Sequence, residues 1–364
     1  MESIMNTLNI SSPKINLLNL NRQKLRLFLT TLKQKSFIAE QIMQWMYKYH
    51  CDDFNDMSNI SNELKKILHE RSYIFAPSFT EEKISCDGTI KWIMSLNNNK
   101  IETVYIPEKT RATLCVSSQI GCVLKCTFCA TGKMGFKRNL YVFEIIAQIL
   151  QAMKRLNKKK TYRKITNIVF MGMGEPLLNL NNLIPALNII LDQYGFGLSK
   201  RKITVSTSGI VPALKVLSKK IDISLALSLH APNDCIRNQI MPINKKYNIK
   251  SILIAIKKYL KNSNANYGGI TIEYVMLHGI NDSNEHARQL ANILSEIPSK
   301  INLIPWNFFK NASFICSKEK QINTFANILR SKGFVTTIRK NRGQDINAAC
   351  GQLNGNIITA YQPI

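Results

Sequence analysis

Gly121-Cys122-Val123-Leu124-Lys125-Cys126-Thr127-Phe128-Cys129 packs three thiols into one short loop, spaced C-x3-C-x2-C. Thiolates at this spacing can converge on one inorganic centre. A [4Fe–4S] cluster with four cysteine ligands is coordinatively closed. Three cysteines leave one iron open to a ligand, much as a catalytic zinc site keeps a free position. The competing reading is structural zinc, with Cys115 as the fourth sulfur. That gives C-x6-C-x3-C-x2-C, which is not one of the usual paired zinc spacings.

Outward from this loop the chain alternates. Strand-like runs occupy 111–117, 165–172, 202–207, 222–229, 270–277 and 300–305. Amphipathic helical runs lie between and after them, near 141–155, 181–193, 210–219, 249–261, 283–296 and 318–331, and a seventh strand-like run follows at 334–340. Six βα units in series imply a parallel sheet with right-handed crossovers. The length is short for eight units, so the expected fold class is α/β, an open partial (β/α)6 barrel over 111–340. Lys158-Lys159-Lys160 falls in a polar linker before the second strand.

The flanks read differently. Leu25, Leu27, Phe28, Leu32, Ile38, Ile42, Trp45 and Met46 recur at helical spacing, so 1–75 is expected to be a small helical accessory domain. Residues 76–110 are expected to form a β-hairpin extension, with Lys91–Leu96 and Lys100–Ile106 flanking Asn97-Asn98-Asn99 and Glu102 in the second strand. Residues 341–364 form a C-terminal segment with Cys350 in a small-residue turn.

Composition narrows the function. The 364 residues carry 49 Lys+Arg against 23 Asp+Glu, a net charge of +26 that favours a polyanionic partner. Lys, Asn and Ile are all abundant, so compositional drift accounts for part of it. No run approaches the ~18 apolar residues of a membrane helix, and Met1–Ile10 lacks the pattern of a secretory signal. A cytoplasmic protein without a membrane partner is expected. Nine cysteines in a chain this long do not read as a secreted disulfide framework.

The ends of the predicted strands hold the remaining unusual residues: Met171 to Pro176, Ser206-Thr207-Ser208-Gly209, Ser228-Leu229-His230 and Trp306-Asn307. Parallel barrels place their sites on that edge. S-adenosylmethionine (SAM) suits an open iron through its amino and carboxylate groups, and an electron from the cluster would then release a 5′-deoxyadenosyl radical. Singly, these residues read as turns and caps, and His230 as an ordinary hydrogen-bonded histidine.

Taken in order, Glu102 to Glu108, Ala112 to Gln119, the three-cysteine loop, Gly132 to Leu140, Met171 to Leu177, Ser206 to Gly209, Ser228 to Asp234, Ile304 to Asn307 and Ala349 to Leu353 closely resemble the RlmN dual-specificity RNA methyltransferases of the radical SAM superfamily. The resemblance covers nearly the whole chain. It implies one [4Fe–4S] cluster on Cys122, Cys126 and Cys129, and SAM contacts from Gly174, Glu175, Ser206, Ser228, Leu229 (through its backbone), His230 and Asn307. It also implies two SAM per turnover. Cys350 takes a methyl group from the first, and the radical from the second activates that group. The activated carbon adds to C2 of an adenine, giving a transient enzyme–RNA adduct. Glu102 is the candidate proton acceptor, and Cys115 resolves the adduct by a transient disulfide with Cys350.

The implied substrates are an adenosine in the peptidyl-transferase region of 23S rRNA and adenosine 37 of a subset of tRNAs. Such a base must lie in a loop or be flipped out. Lys133, Lys137, Arg138, Lys200-Arg201-Lys202, Arg339, Lys340 and Arg342 are candidates to hold phosphates. An electron donor is required, and a monomer is expected. The alternatives are a Cfr-type adenine C8 methyltransferase, a glycyl-radical activase and a non-catalytic RNA-binding protein with a structural metal.

Overall fold

A computed structural model describes residues 13–158 and 161–355. Lys158, expected in a polar linker, instead ends a long helix, while Lys159, Lys160, the first twelve residues and 356–364 lie outside the described residues.

Three helices, α1 (Arg22–Thr31), α2 (Ile38–Tyr47) and α3 (Asn62–Arg71), form the N-terminal unit. Asn21 and Ser61 cap α1 and α3 through side-chain acceptors. Leu25, Leu29, Ile42, Met46 and Leu68 are buried on the facing sides. A two-residue parallel pair, β1 (Ile15–Asn16) and β2 (Ser72–Tyr73), ties the ends of the unit together.

The rest is organised by one ten-stranded sheet. Its antiparallel flank comprises β3 (Phe79–Ile84), β4 (Ile90–Leu96) and β5 (Asn99–Pro107). The last of these pairs antiparallel with β6 (Ala112–Cys115). A small separate ribbon, β7 (Gln119–Gly121) with β8 (Phe136–Asn139), brackets the cysteine loop. Within that bracket lies the short α4 (Ala130–Lys133). The parallel part then continues from β6 through β9 (Asn167–Phe170), β10 (Ile203–Thr207), β11 (Ser224–Ser228), β12 (Ile270–Met276), β13 (Ser299–Pro305) and β14 (Val335–Ile338).

The covering helices are α5 (Val142–Lys158), α6 (Leu180–Leu191), α7 (Val211–Lys220), α8 (Asp234–Ile240), α9 (Ile249–Leu260), α10 (Asn284–Leu294) and α11 (Glu319–Ser331). Parallel strands buried on both faces read as near-continuous apolar runs, which is why the βα series is visible in the sequence. The sheet does not close, since β3 and β14 remain as free edges. This is the expected open partial barrel, now seen with seven parallel strands.

The expected β-hairpin has a third strand. β3 reads Phe-Thr-Glu-Glu-Lys-Ile, so its charged side chains hide the strand pattern. Rather than standing apart, the β-hairpin continues the barrel sheet through the β5–β6 pairing.

Candidate active site

The cysteine loop owes its path to close backbone approaches. Gly121 has φ +71°, and a Cβ there would sit 1.8 Å from the Gly135 carbonyl oxygen. Gly135 in turn accepts from the Cys122 amide at 3.0 Å. A Cβ on Gly132 would lie 2.7 Å from the Cys126 carbonyl oxygen. The loop is pinned from outside as well, because the Thr127 amide donates to Ile240 and the Trp306 indole to the Phe128 carbonyl at 3.0 Å.

Cys122, Cys126 and Cys129 line one cavity together with Gly174, Glu175, Ser208, Ser228, His230 and Cys350. An adjoining cavity shares several of these and adds Ser206, Glu273 and Arg339. Burial pushes all three loop thiols up, Cys122 to about 12, and their mutual proximity adds to the rise at Cys122 and Cys126. Deprotonated together, three such close thiolates would repel one another unless a cation neutralised them. Among the described residues no three His, Cys, Asp or Glu side chains form a nest for a single metal ion. A cubane takes one thiolate per iron, so three cysteines would leave its fourth iron open to another ligand.

Glu175 is buried, and its carboxylate accepts from the Leu177 amide at 3.1 Å and the Ser208 amide at 2.8 Å. Burial raises its pKa and these donors oppose the rise. The Thr207 and Ser208 hydroxyls face the same carboxylate and oppose the rise as well. Gly174 (φ +98°) leaves no room for a Cβ, which would lie 2.4 Å from the Gln119 Cβ. Gln119 also holds the turn directly, its Oε1 accepting from the Glu175 amide at 2.8 Å. The Ser206 and Ser228 hydroxyls are 3.3 Å apart on adjacent strand ends. His230 (φ +60°) is buried, with Nδ1 accepting from the Val275 amide at 3.0 Å. Burial, then Arg237, lowers its pKa to about 3, so it is a neutral imidazole and no proton donor near neutrality.

Arg237 is the buried organiser that sequence reasoning missed. It donates to the carbonyls of Leu229, Ser208 and Ser228 and to Asn244 Oδ1, tying the ends of β10 and β11 together. Nothing in a lone arginine on a short helix signals this role.

Three expected residues stand away from the cavities. Leu229 is fully buried, its amide on Glu273 and its carbonyl on Arg237. Asn307 engages the C-terminal segment, donating to the Cys350 carbonyl at 3.2 Å and accepting from Gln344 at 2.9 Å. Glu102 is fully buried beneath that same segment.

Residues 343–355 cross the site as a strap. Its holds include Gly351 O accepting from the Ala130 amide at 2.7 Å and Leu353 O from Thr131 at 2.6 Å. On the far side Ser85 donates to Asp345 at 2.6 Å. Cys350 thereby faces the cavity of the cysteine loop. It also neighbours Cys115, whose thiol is pushed to about 12 by burial and then by Cys350. Burial raises Cys350 too, while the Arg339 guanidinium lowers it. Both thiols are free.

The basic candidates are largely engaged internally. Arg138 makes a bidentate pair with Glu144, Lys200 bonds Asp222, and Lys133 bonds the Asn311 carbonyl. Arg339 turns toward Cys350 and Glu273.

An open parallel barrel with a three-thiol loop, a Gly-Glu turn and Ser-bearing strand ends around one cavity defines a radical SAM enzyme. The radical SAM superfamily model matches residues 116–291, and the ribosomal RNA large subunit methyltransferase N-terminal domain matches 15–74. Two relatives named "Dual-specificity RNA methyltransferase RlmN", both from Buchnera aphidicola (subspecies Schizaphis graminum and Acyrthosiphon pisum), are each 69% identical. The alignments cover 98% and 99% of this chain and 99% of each relative. The crystal structure of a radical SAM methyltransferase from Sphaerobacter thermophilus superposes with TM-score 0.86 at 37% identity, covering 94% of this chain and all of that one. The chain belongs to the RlmN family of dual-specificity RNA methyltransferases, radical SAM enzymes that use a [4Fe–4S] cluster and SAM. Among the described residues no helix is long and apolar enough to cross a membrane.

Proposed function

We propose that the enzyme methylates C2 of an adenosine in the peptidyl-transferase region of 23S rRNA and of adenosine 37 in a subset of tRNAs. It would act in the cytoplasm as a monomer, with an electron donor. The observation that carries this reading is the place of Cys350, facing the cavity of the cysteine loop with Cys115 beside it. C2 of adenine is electron-poor and cannot displace a methyl group from SAM by polar substitution, so the carbon must be handed over by another route.

In this reading Cys122, Cys126 and Cys129 hold the cluster. Bound there, it supplies the electron that splits SAM and so provides a carbon radical. Glu175 and the Gly174 turn receive the SAM ammonium, and Ser206 and Ser228 offer hydroxyls at the strand ends. Cys350, as thiolate, accepts the methyl group, and Arg339 stabilises that thiolate against burial. Glu102 accepts the proton lost from C2. Burial holds its pKa above the usual carboxylate range, which strengthens it as a base, and reaching the adenine requires the strap to shift. Cys115 then attacks the Cys350 sulfur and breaks its bond to the transferred carbon, which takes up a proton as the methyl group, and the disulfide left behind is reopened by an external reductant.

The test uses anaerobically reconstituted protein, a reductant, methyl-labelled SAM and protein-free 23S rRNA, with mass spectrometry of the digested nucleosides. The expected product is 2-methyladenosine, absent with Cys350→Ala. If 8-methyladenosine appears instead, the position is wrong. SAM cleavage with no methylated adenine refutes the RNA reading.

A further inference from the structure

Lys91 lies on β4, a strand that none of the SAM-facing loops uses. A lysine on a sheet normally keeps its ammonium in water, yet Lys91 is 4% exposed. Its Nζ donates to the Asn347 carbonyl at 3.1 Å and stands 3.7 Å from Glu102 Oε1. The Glu102 carboxylate is otherwise faced by the Gly355 and Asn354 amides of the strap. Asn347, at φ +52°, leads through Ala348 and Ala349 to Cys350. One ammonium therefore bridges the proposed proton acceptor and the turn that carries the proposed methyl carrier.

The surroundings make that charge matter. Burial pushes the Glu102 carboxyl up, and Lys91 is its largest opposing influence, followed by the Gly355 and Asn354 amides of the strap. Facing Lys91 are Glu102 on β5 and, on β3, Lys83 and Glu81. An ammonium has three donors, and one is engaged by Asn347. The 3.7 Å gap to Glu102 is longer than a charge-assisted hydrogen bond, so Glu102 is steadied without being locked.

We propose that Lys91 is a positioning residue for methyl transfer, keeping Glu102 as a carboxylate that can accept a proton and anchoring the Cys350 turn to the same strand. This rests on the reading of Glu102 as acceptor and Cys350 as carrier. An anchor alone would need only a hydrogen-bond donor at position 91. A partner for Glu102 needs the positive charge.

The experiment compares reconstituted holoenzymes of the wild type, Lys91→Gln, Lys91→Arg and Glu102→Gln. Lys91→Gln keeps a donor for Asn347 without the charge. Two quantities are read: Cys350 methylation, by intact mass, and the rate at which the enzyme–RNA adduct resolves, by denaturing gel, from about pH 6 to about pH 9. Lys91→Gln is expected to methylate Cys350 normally and to resolve the adduct about tenfold or more slowly on the acid side. The deficit narrows toward alkaline pH, and Lys91→Arg restores most of the rate. Equal slowing at every pH, or none, overturns the proposal. Glu102→Gln resolving the adduct at the wild-type rate would remove the acceptor reading itself, and the proposal with it. If Lys91→Gln does not fold, the decision passes to Lys91→Arg, which keeps the charge. A wild-type pH profile with it supports the proposal, and an acid-side loss refutes it.

Discussion

Replacing Arg237 by methionine removes the guanidinium while keeping most of the stem's volume. Four close bonds are lost, to the carbonyls of Leu229 (3.0 Å), Ser208 (2.8 Å) and Ser228 (3.2 Å) and to Asn244 Oδ1 (2.8 Å), while a fifth, to the Tyr247 carbonyl at 3.5 Å, is too long to add much. At about 1.5 kcal/mol net for each bond to a charged group, the gross loss is about 6 kcal/mol. Part of this is returned, because the variant no longer buries a cation that lacks a direct carboxylate partner. The expected destabilisation is about 3–5 kcal/mol, what remains of the gross loss after that return. Against a typical total of about 5–15 kcal/mol, that leaves the protein marginal. Urea unfolding of the cluster-free protein, followed by circular dichroism, measures the loss. SAM affinity should fall in the same variant, because the ends of β10 and β11 are no longer tied. A loss below about 1 kcal/mol would refute the reasoning, since it would mean that water or Asn244 takes over the abandoned carbonyls.

Gly174→Ala should fold yet lose most SAM binding, because its Cβ meets Gln119 at 2.4 Å in a backbone conformation alanine resists; near-normal affinity by calorimetry would contradict this. His230 makes stability fall with acid. Its folded pKa of about 3 lies below the ordinary 6.5, so the unfolded chain binds the extra proton between those values, and stability drops as pH falls through that window. His230→Asn, which tolerates the positive φ, should flatten the slope there by up to about 1.4 kcal/mol per pH unit, as read from urea titrations. Because burial holds the three loop thiols protonated, cluster assembly should release protons and proceed faster at alkaline pH, followed by visible absorbance. Cys122→Ala should leave the protein colourless after the same treatment.

The parallel strands were legible in the sequence because burial on both faces writes itself as apolar runs, and the cysteine loop because its spacing has few other uses. β3 was not, since its two apolar residues stand at its ends with charges between them and give no alternating signal. The ribbon of β7 and β8 was hidden too, being two short strands separated by the loop they frame. In the site, composition cannot reveal that Gln119 props the Gly-Glu turn, that Arg237 ties two strand ends or that Lys91 is buried. Each is a polar residue whose partners sit on other elements of the fold. The family resemblance named Asn307 and Glu102, but only the fold shows both engaged with the strap.

An open sheet carries a hazard that a closed barrel escapes: each free edge can template a strand from another copy. The two edges here are guarded differently. β14 is only four residues long and runs straight into Arg339 and Lys340. β3 keeps Glu81 paired with Lys100, and Glu82 bonded to Trp92 and near Arg155. The charges that concealed β3 from pattern reading therefore serve as the molecule's defence against edge-to-edge self-association. Neutralising them should first appear as turbidity in concentrated solution, before any change in the chemistry of the site.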